Sequence, residues 1–300
     1  MESTIALIGF GEAGSTFAEA AGWEAGAAAY DVLPARRAAM EAAGVLVCAT
    51  AECALGDADM VLSLVTADAA LSAAKDYAAL LKPGALWCDM NSVAPDTKRA
   101  AARAVEAAGG RYLDVAVLAP VNPARMNVPL LLAGAAADEA AEALRAVGFA
   151  HVRVVGSEVG RASAIKMIRS VMVKGIEALT AEMMLAADAA GVTDEVLASL
   201  DASEKAQGWA TRAAYNLERM TTHGARRAAE MEESAKTLIG LGVEPVMTSG
   251  TVRRQREMAA SHSHSYPLPF VSSEVETSDA ASGVSTSLDT NGGGSGVLIS

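Results

Sequence analysis

Gly9-Phe10-Gly11-Glu12-Ala13-Gly14 follows the apolar run Thr4–Ile8 and opens the small-residue stretch Ser15–Ala21. Three glycines at this spacing, set between a strand-like run and a helix-like one, decide the fold. Gly9 suits a tight turn, Gly11 lets the backbone approach a pyrophosphate with no Cβ in the way, and Gly14 lets the helix pack closely on the strand. The helix N-terminus beyond offers N–H groups and the positive end of a dipole to phosphate. About 20 residues on, the run Ala28-Ala29-Tyr30 ends in Asp31, placed to accept hydrogen bonds from an adenosine ribose.

The pattern therefore predicts a dinucleotide site made of Gly9, Phe10, Gly11, Glu12, Ala13, Gly14 and Asp31, with Val65 and Thr66 counted among the cofactor contacts. The Asp31 carboxylate repels an extra phosphate on the ribose and favours NAD over NADP. Arg36 and Arg37 keep NADP open: either one can swing toward a 2′-phosphate, although both also read as exposed positions on an Ala-rich helix.

Outward from this motif, short apolar runs alternate with Ala-rich amphipathic stretches, as at Ala27–Val32, Met60–Val65, Ala85–Cys88 and Tyr112–Leu118. Leu130–Ala133 and His151–Val155 add two strand candidates around a helix-like 138–147. This is the rhythm of an α/β fold, a Rossmann doubly wound parallel sheet. Past Gly160 the strand signal stops and helices are expected over 161–190, 194–201, 205–221, 226–241 and 245–260. The expected organisation is a dinucleotide-binding domain over 1–158, an all-α domain for substrate and dimerisation over 159–261, and a disordered Ser/Thr/Gly-rich tail over 262–300. The helix from Gly160 would be ~45 Å long and form the spine of the second domain, carrying the interdomain cleft.

Composition narrows the function classes. Of 300 residues 52% are hydrophobic, enough to bury a core, and the formal charge of −12 excludes a broad electrostatic footprint for nucleic acid or an anionic membrane. No apolar run has bilayer length and no basic segment precedes the first one, so a cytoplasmic location is expected. The three cysteines, Cys48, Cys53 and Cys88, are scattered and lack histidines at ligand spacing, which suggests neither a disulfide framework nor a zinc site. His262 and His264, in a Ser-rich segment, read as solvated bystanders, and no metal is expected.

Ser163, Lys166, Ser170 and Lys174 follow one another at steps of three or four and form one polar line on an otherwise apolar helix. Spacing alone allows a solvated face. It also allows a lysine facing a wet cleft, where desolvation would bring its pKa toward the range useful for proton transfer.

The glycine motif, Tyr30-Asp31-Val32, Asp89-Met90-Asn91-Ser92-Val93-Ala94-Pro95 and the 160–170 segment resemble, in order and spacing, the β-hydroxyacid dehydrogenases, the superfamily of 3-hydroxyisobutyrate and 6-phosphogluconate dehydrogenases. Within it the chain is similar to the subgroup with a distinct C-terminal domain, on the stretch from His223 to Met231. The resemblance implies that Lys166 is the general acid/base and that Ser92 binds substrate. It also implies a homodimer through the helical domain. Ser170, which stands where the family usually has asparagine, is expected to orient the substrate together with Ser92, and Leu118-Ala119-Pro120 stands where the family has the Ser-Gly-Gly carboxylate clamp. Leu118 has no polar side chain and Pro120 no N–H, so the clamp is largely missing.

Asn122 can replace some of that polarity or serve only the turn between two prolines. His223 and Arg226 have two readings as well: exposed charges, Arg226 with Glu230 as an ordinary ion pair, or contacts holding a substrate carboxylate or phosphate. The expected activity is hydride transfer between NAD and the hydroxyl-bearing carbon of a small polar substrate resembling a hydroxy acid or sugar acid. Three alternatives stay open: oxidative decarboxylation, imine reduction, and a non-catalytic NAD(H) sensor.

Overall fold

Eight strands, β1 (Ile5–Ile8), β2 (Ala27–Tyr30), β3 (Leu46–Val47), β4 (Met60–Ser63), β5 (Leu86–Asp89), β6 (Arg111–Val117), β7 (Leu130–Ala133) and β8 (Val152–Gly156), make one sheet. The computed structural model describes residues 4–203 and 208–261, and the 262–300 tail lies outside these. The strand order is β3-β2-β1-β4-β5-β6-β7-β8. Side chains alternate between two apolar layers. Ile5, Leu7, Leu62, Cys88 and Leu113 pack with Phe17 and Phe149 on one face, while Ala6, Ile8, Val61 and Trp87 pack with Leu55, Ala74 and Val105 on the other. Burial on both faces is why these strands read as continuous apolar runs.

The strands β1 to β6 run parallel, and β7 turns back antiparallel to β6. The chain between β6 and β7 carries only a short 3-10 turn at Arg125–Asn127, too little for a helical crossover. The helix α6 (Ala137–Ala146) then supplies a crossover, and β8 lies parallel to β7. Because β1 sits between β2 and β4, the chain leaves the sheet to opposite sides at this point, and a crevice opens at the strand ends.

Three local readings are corrected. The two-residue strand β3 at the sheet edge is too short to leave a periodic signal. Cys48 and Cys53 form a disulfide, because the turn between β3 and the helix α3 (Ala51–Leu55) brings their Cα atoms to 5.6 Å despite a separation of only five residues. The two helices expected over 205–221 and 226–241 are one helix, α9 (Trp209–Gly240). Gly224 does not break it. A Cβ there would lie 2.4 Å from the Gln255 carbonyl oxygen of α10 (Val246–Ser261), so glycine permits close packing of two helices.

The described chain forms two compact units that divide between Ala178 and Leu179, inside the helix α7 (Arg161–Ala190). In the second unit, α8 (Thr193–Ser203), α9 and α10 follow. Glu182 ties the last of these down: its carboxylate accepts the N–H groups of Met247 (2.7 Å) and Thr248 (2.8 Å) and the Thr248 hydroxyl (2.5 Å) at the start of α10. Burial raises the Glu182 pKa, but the Thr248 hydroxyl and the N–H groups of Met247, Thr248 and Val246 outweigh it and hold the carboxyl below its ordinary 4.5. A lowered folded-state pKa stabilises above the unfolded value and is lost as pH falls through the folded one. Glu182→Gln is expected to lower unfolding free energy by about 1–2 kcal/mol near pH 7. Urea melts of both proteins should show the gap closing below pH 4.5.

Candidate active site

The first turn after β1 is shaped by close contact with the end of β4. Gly9 has φ +92°, and a Cβ on it would lie 2.6 Å from the Leu64 carbonyl oxygen. A Cβ on Gly14 would lie 2.7 Å from the Gly9 carbonyl oxygen, so the helix α1 (Glu12–Ala21) is seated directly on the turn. Gly11 differs: a Cβ on it meets nothing within 4 Å and would project into open space. That space belongs to a groove of about 540 Å³ whose walls include Gly9, Gly11, Ala13, Asp31, Val65 and Thr66.

Phe10 is fully buried and faces this site only through its backbone, since its N–H donates to Asp31 Oδ2 at 2.7 Å. Asp31 Oδ1 accepts the Leu33 N–H at 2.8 Å. Each oxygen retains a lone pair for a ribose hydroxyl. Arg36, the residue before the helix α2 (Arg37–Ala42), lines the same groove. Tyr30 and Tyr77 meet edge to face there, 6.1 Å apart. The Tyr77 phenol is pushed up by burial, then by Tyr30, Asp76 and Asp31. Sequence reading missed Tyr77, which stands on α4 (Ala70–Tyr77) with no motif around it. A glycine whose missing Cβ leaves the groove open, an α1 N-terminus and a carboxylate on the groove wall fit a dinucleotide.

At the same C-terminal edge of the parallel strands, Lys166 Nζ donates to Ser92 Oγ at 2.5 Å, joining α7 to the turn after β5. Lys166 is half-buried. The polar line predicted for α7 does not act as one unit. Ser163 is buried and its hydroxyl donates to Asp114 Oδ2 and the Gly160 carbonyl, both at 3.1 Å. The Ser170 hydroxyl donates to the Lys166 carbonyl at 2.9 Å within the helix. The Lys174 side chain lies outside the described residues, as does that of Glu230.

Arg169, unremarked in the sequence, stands one turn beyond Lys166, and its Nη1 donates to the Leu118 carbonyl at 3.3 Å. Asn122 Nδ2 donates to Glu12 Oε1 and Thr16 Oγ1, each at 3.4 Å, so its partners are on the dinucleotide helix. His223 and Arg226 are exposed positions of α9, in the second unit. The structure thus brings Ser92 to Lys166, and the glycine turn to Asp31, Val65 and Thr66. Among the described residues there is no group of three or more side chains arranged for a metal ion, and no helix long and apolar enough to cross a membrane.

Residues 4–160, more than half of the chain, match the NAD binding domain of 6-phosphogluconate dehydrogenase. The chain belongs to this family. Residues 187–258 match a domain of unknown function (DUF1932). A conserved hypothetical protein from Sinorhizobium meliloti 1021 is 39% identical, with 89% of this chain and 91% of that one covered and a TM-score of 0.58. A conserved protein described as structurally similar to 3-hydroxyacid dehydrogenases is 27% identical, covering 86% and 97%, with a TM-score of 0.56. An imine reductase from Myxococcus stipitatus in complex with NADP+ shares the fold, at 19% identity, 86% and 94% coverage and a TM-score of 0.71.

In this member of the 6-phosphogluconate dehydrogenase NAD-binding family, a buried polar cluster lies at the same strand ends. Ser63, Asp89 and Asp114 are register partners across β4, β5 and β6. Lys98, on α5 (Pro95–Ala107), is wholly buried, and its Nζ donates to the Asp89 carbonyl (2.5 Å) and Oδ1 (2.9 Å), with Asp114 Oδ1 at 3.7 Å. The Tyr112 hydroxyl donates to Asp89 Oδ2 at 2.5 Å. Burial, then the Asp89 and Asp114 charges, push that phenol far above its usual range. Asn91 Nδ2 donates to Asp89 Oδ1 (2.8 Å) and Ser63 Oγ (3.0 Å). Neighbouring Cys88 is pushed up to about 12, chiefly by burial, and stays a thiol. Only the three-dimensional register reveals Lys98, because on a helical wheel it is one lysine in an ordinary amphipathic helix.

The glycines separate folding from binding. Gly9→Ala forces a left-handed backbone and a contact with Leu64, and should cost about 1–3 kcal/mol of stability. Gly11→Ala should melt like the parent yet bind NADH at least about tenfold more weakly by fluorescence titration. Equal loss of stability in both variants would contradict this division.

Proposed function

We propose that this chain is an oxidoreductase that transfers a hydride between NAD and the hydroxyl-bearing carbon of a small anionic hydroxy acid or sugar acid, with Lys166 as general acid/base. The observation that carries the reading is the Lys166 Nζ to Ser92 Oγ contact of 2.5 Å, which holds an amine and a hydroxyl together at the ends of the parallel strands. Such edges are where α/β sheets present their reactive groups. When bound, the nicotinamide supplies the hydride acceptor or donor.

The chain's own residues supply the proton path. A substrate hydroxyl meeting Ser92 Oγ and Lys166 Nζ is oriented by the serine, and the neutral amine takes its proton as the carbinol C–H bond breaks and the C=O bond forms. In the reverse direction the ammonium returns that proton to the oxygen. Its charge also stabilises the negative charge developing there, which is worth most in a site shielded from water. Asp31 favours NAD by repelling a 2′-phosphate, whereas Arg36 on the same groove gives NADP a counter-charge, so the pair sets the ratio of the two cofactors.

Substrate charge follows from Arg169. Its guanidinium uses one donor on the Leu118 carbonyl, and the rest of the planar fork matches a carboxylate one helical turn from the working amine.

A panel of hydroxy acids, sugar acids and their uncharged alcohol counterparts, offered with NAD+ and followed by nicotinamide absorbance, tests the reading. Acids should turn over in preference to neutral alcohols. Lys166→Met should keep NADH affinity within about threefold and lose turnover by about 100-fold or more. Undiminished turnover in that variant, or activity confined to imines, would refute the assignment.

A further inference from the structure

We infer that Lys98 is the positioning residue that holds Lys166 against Ser92. The inference rests on the reading of Lys166 as the working amine. Two strands of contact leave the Lys98 ammonium and meet again at the Ser92–Lys166 hydrogen bond. On one side, Lys98 binds Asp89 Oδ1 and the Asp89 carbonyl. The same Oδ1 accepts the backbone N–H and side-chain amide of Asn91, the residue before Ser92. On the other side, Lys98 faces Asp114 Oδ1. Asp114 Oδ2 accepts the N–H groups of Gly160 and Ser163, both at 3.0 Å, and the Ser163 hydroxyl. These groups start α7, and Lys166 lies three residues beyond Ser163. The ring is closed: Lys98, Asp89, the Asn91-Ser92 turn, Lys166, the first turn of α7, Asp114, Lys98.

Chemistry gives Lys98 this task rather than one of bulk stability. Two carboxylates in register on adjacent strands repel each other, and the ammonium between them is the cation that lets both remain. A buried ion pair gains little over well-packed apolar groups, but losing one partner leaves the others uncompensated, and what such a group fixes is geometry. Two of the three ammonium donors go to Asp89, and the third direction is open to Asp114 Oδ1, which has no hydrogen-bond partner. The ammonium therefore sets the distance between the β5 turn and the α7 N-terminus from below. Asn91 and Tyr112 complete the carboxylate shell of Asp89 and keep it from rotating.

The test reads the placement of Lys166 without needing a substrate. The full-length protein with NADH is acetylated by a trace of acetic anhydride, and mass spectrometry gives labelling of Lys166 relative to Lys75, an exposed lysine of α4. Lys98→Met should raise the Lys166:Lys75 ratio by about fivefold or more, with NADH affinity within about threefold of the parent. A lower melting temperature with an unchanged or reduced ratio would mean a purely structural role and overturns the inference. Should Lys98→Met fail to fold, Asp114→Asn decides by the same ratio: it keeps the shape, turns an amide toward the ammonium, and should also raise the ratio. No rise in Asp114→Asn would overturn the inference. The outcome is separable from the proposed function. If Lys166→Met retains turnover while Lys98→Met frees Lys166 for labelling, the catalytic reading falls and the positioning stands.

Discussion

Asp89, the last residue of β5, and Asp114, midway along β6, lie side by side, fully buried, with one ammonium between them. Much of the site follows from this juxtaposition. A parallel sheet brings its strand ends to one edge, and register then decides which side chains become neighbours. Here register places two like charges together, and each carboxylate serves a different segment. Asp89 shapes the turn that carries Ser92, while Asp114 caps the helix that carries Lys166. The capping is long-range: a strand residue satisfies the first N–H groups of a helix 46 residues later, a role that an adjacent Ser or Thr usually fills.

The dinucleotide half of the site was legible because its constraints are local. Gly9 and Gly14 are required by contacts within the turn itself, and Asp31 follows on the very next strand. The contact between Lys166 and Ser92 was legible only in part. Lys166 and Ser92 were identified through a family resemblance, since helical spacing alone fits a solvated face equally well. Lys98 and Arg169 were missed because their meaning comes from partners distant in sequence, such as Leu118 for Arg169. Gly224 falls in the gap expected between helices over 205–221 and 226–241, yet it marks the point where α10 presses against α9 inside one helix, and packing across elements overrode local propensity.

The anionic chain concentrates cationic side chains on one stretch of α7. Lys166 and Arg169 stand one turn apart on a protein with a formal charge of −12. Long-range attraction therefore would not recruit the acidic substrate proposed above, whose affinity would come from short, directional contacts in the site. That suits a bidentate guanidinium and a hydrogen-bonded amine, whose strength depends on geometry more than on net charge.

In the proposed reaction the Lys166 amine meets the oxygen whose carbon exchanges hydride with NAD. A crystal structure with NAD+ and a slow hydroxy-acid analogue would show whether it does. The analogue hydroxyl should lie within hydrogen-bond distance of both Lys166 Nζ and Ser92 Oγ, with its carbinol carbon facing the nicotinamide. An analogue bound against the nicotinamide while Lys166 points away into solvent would contradict it.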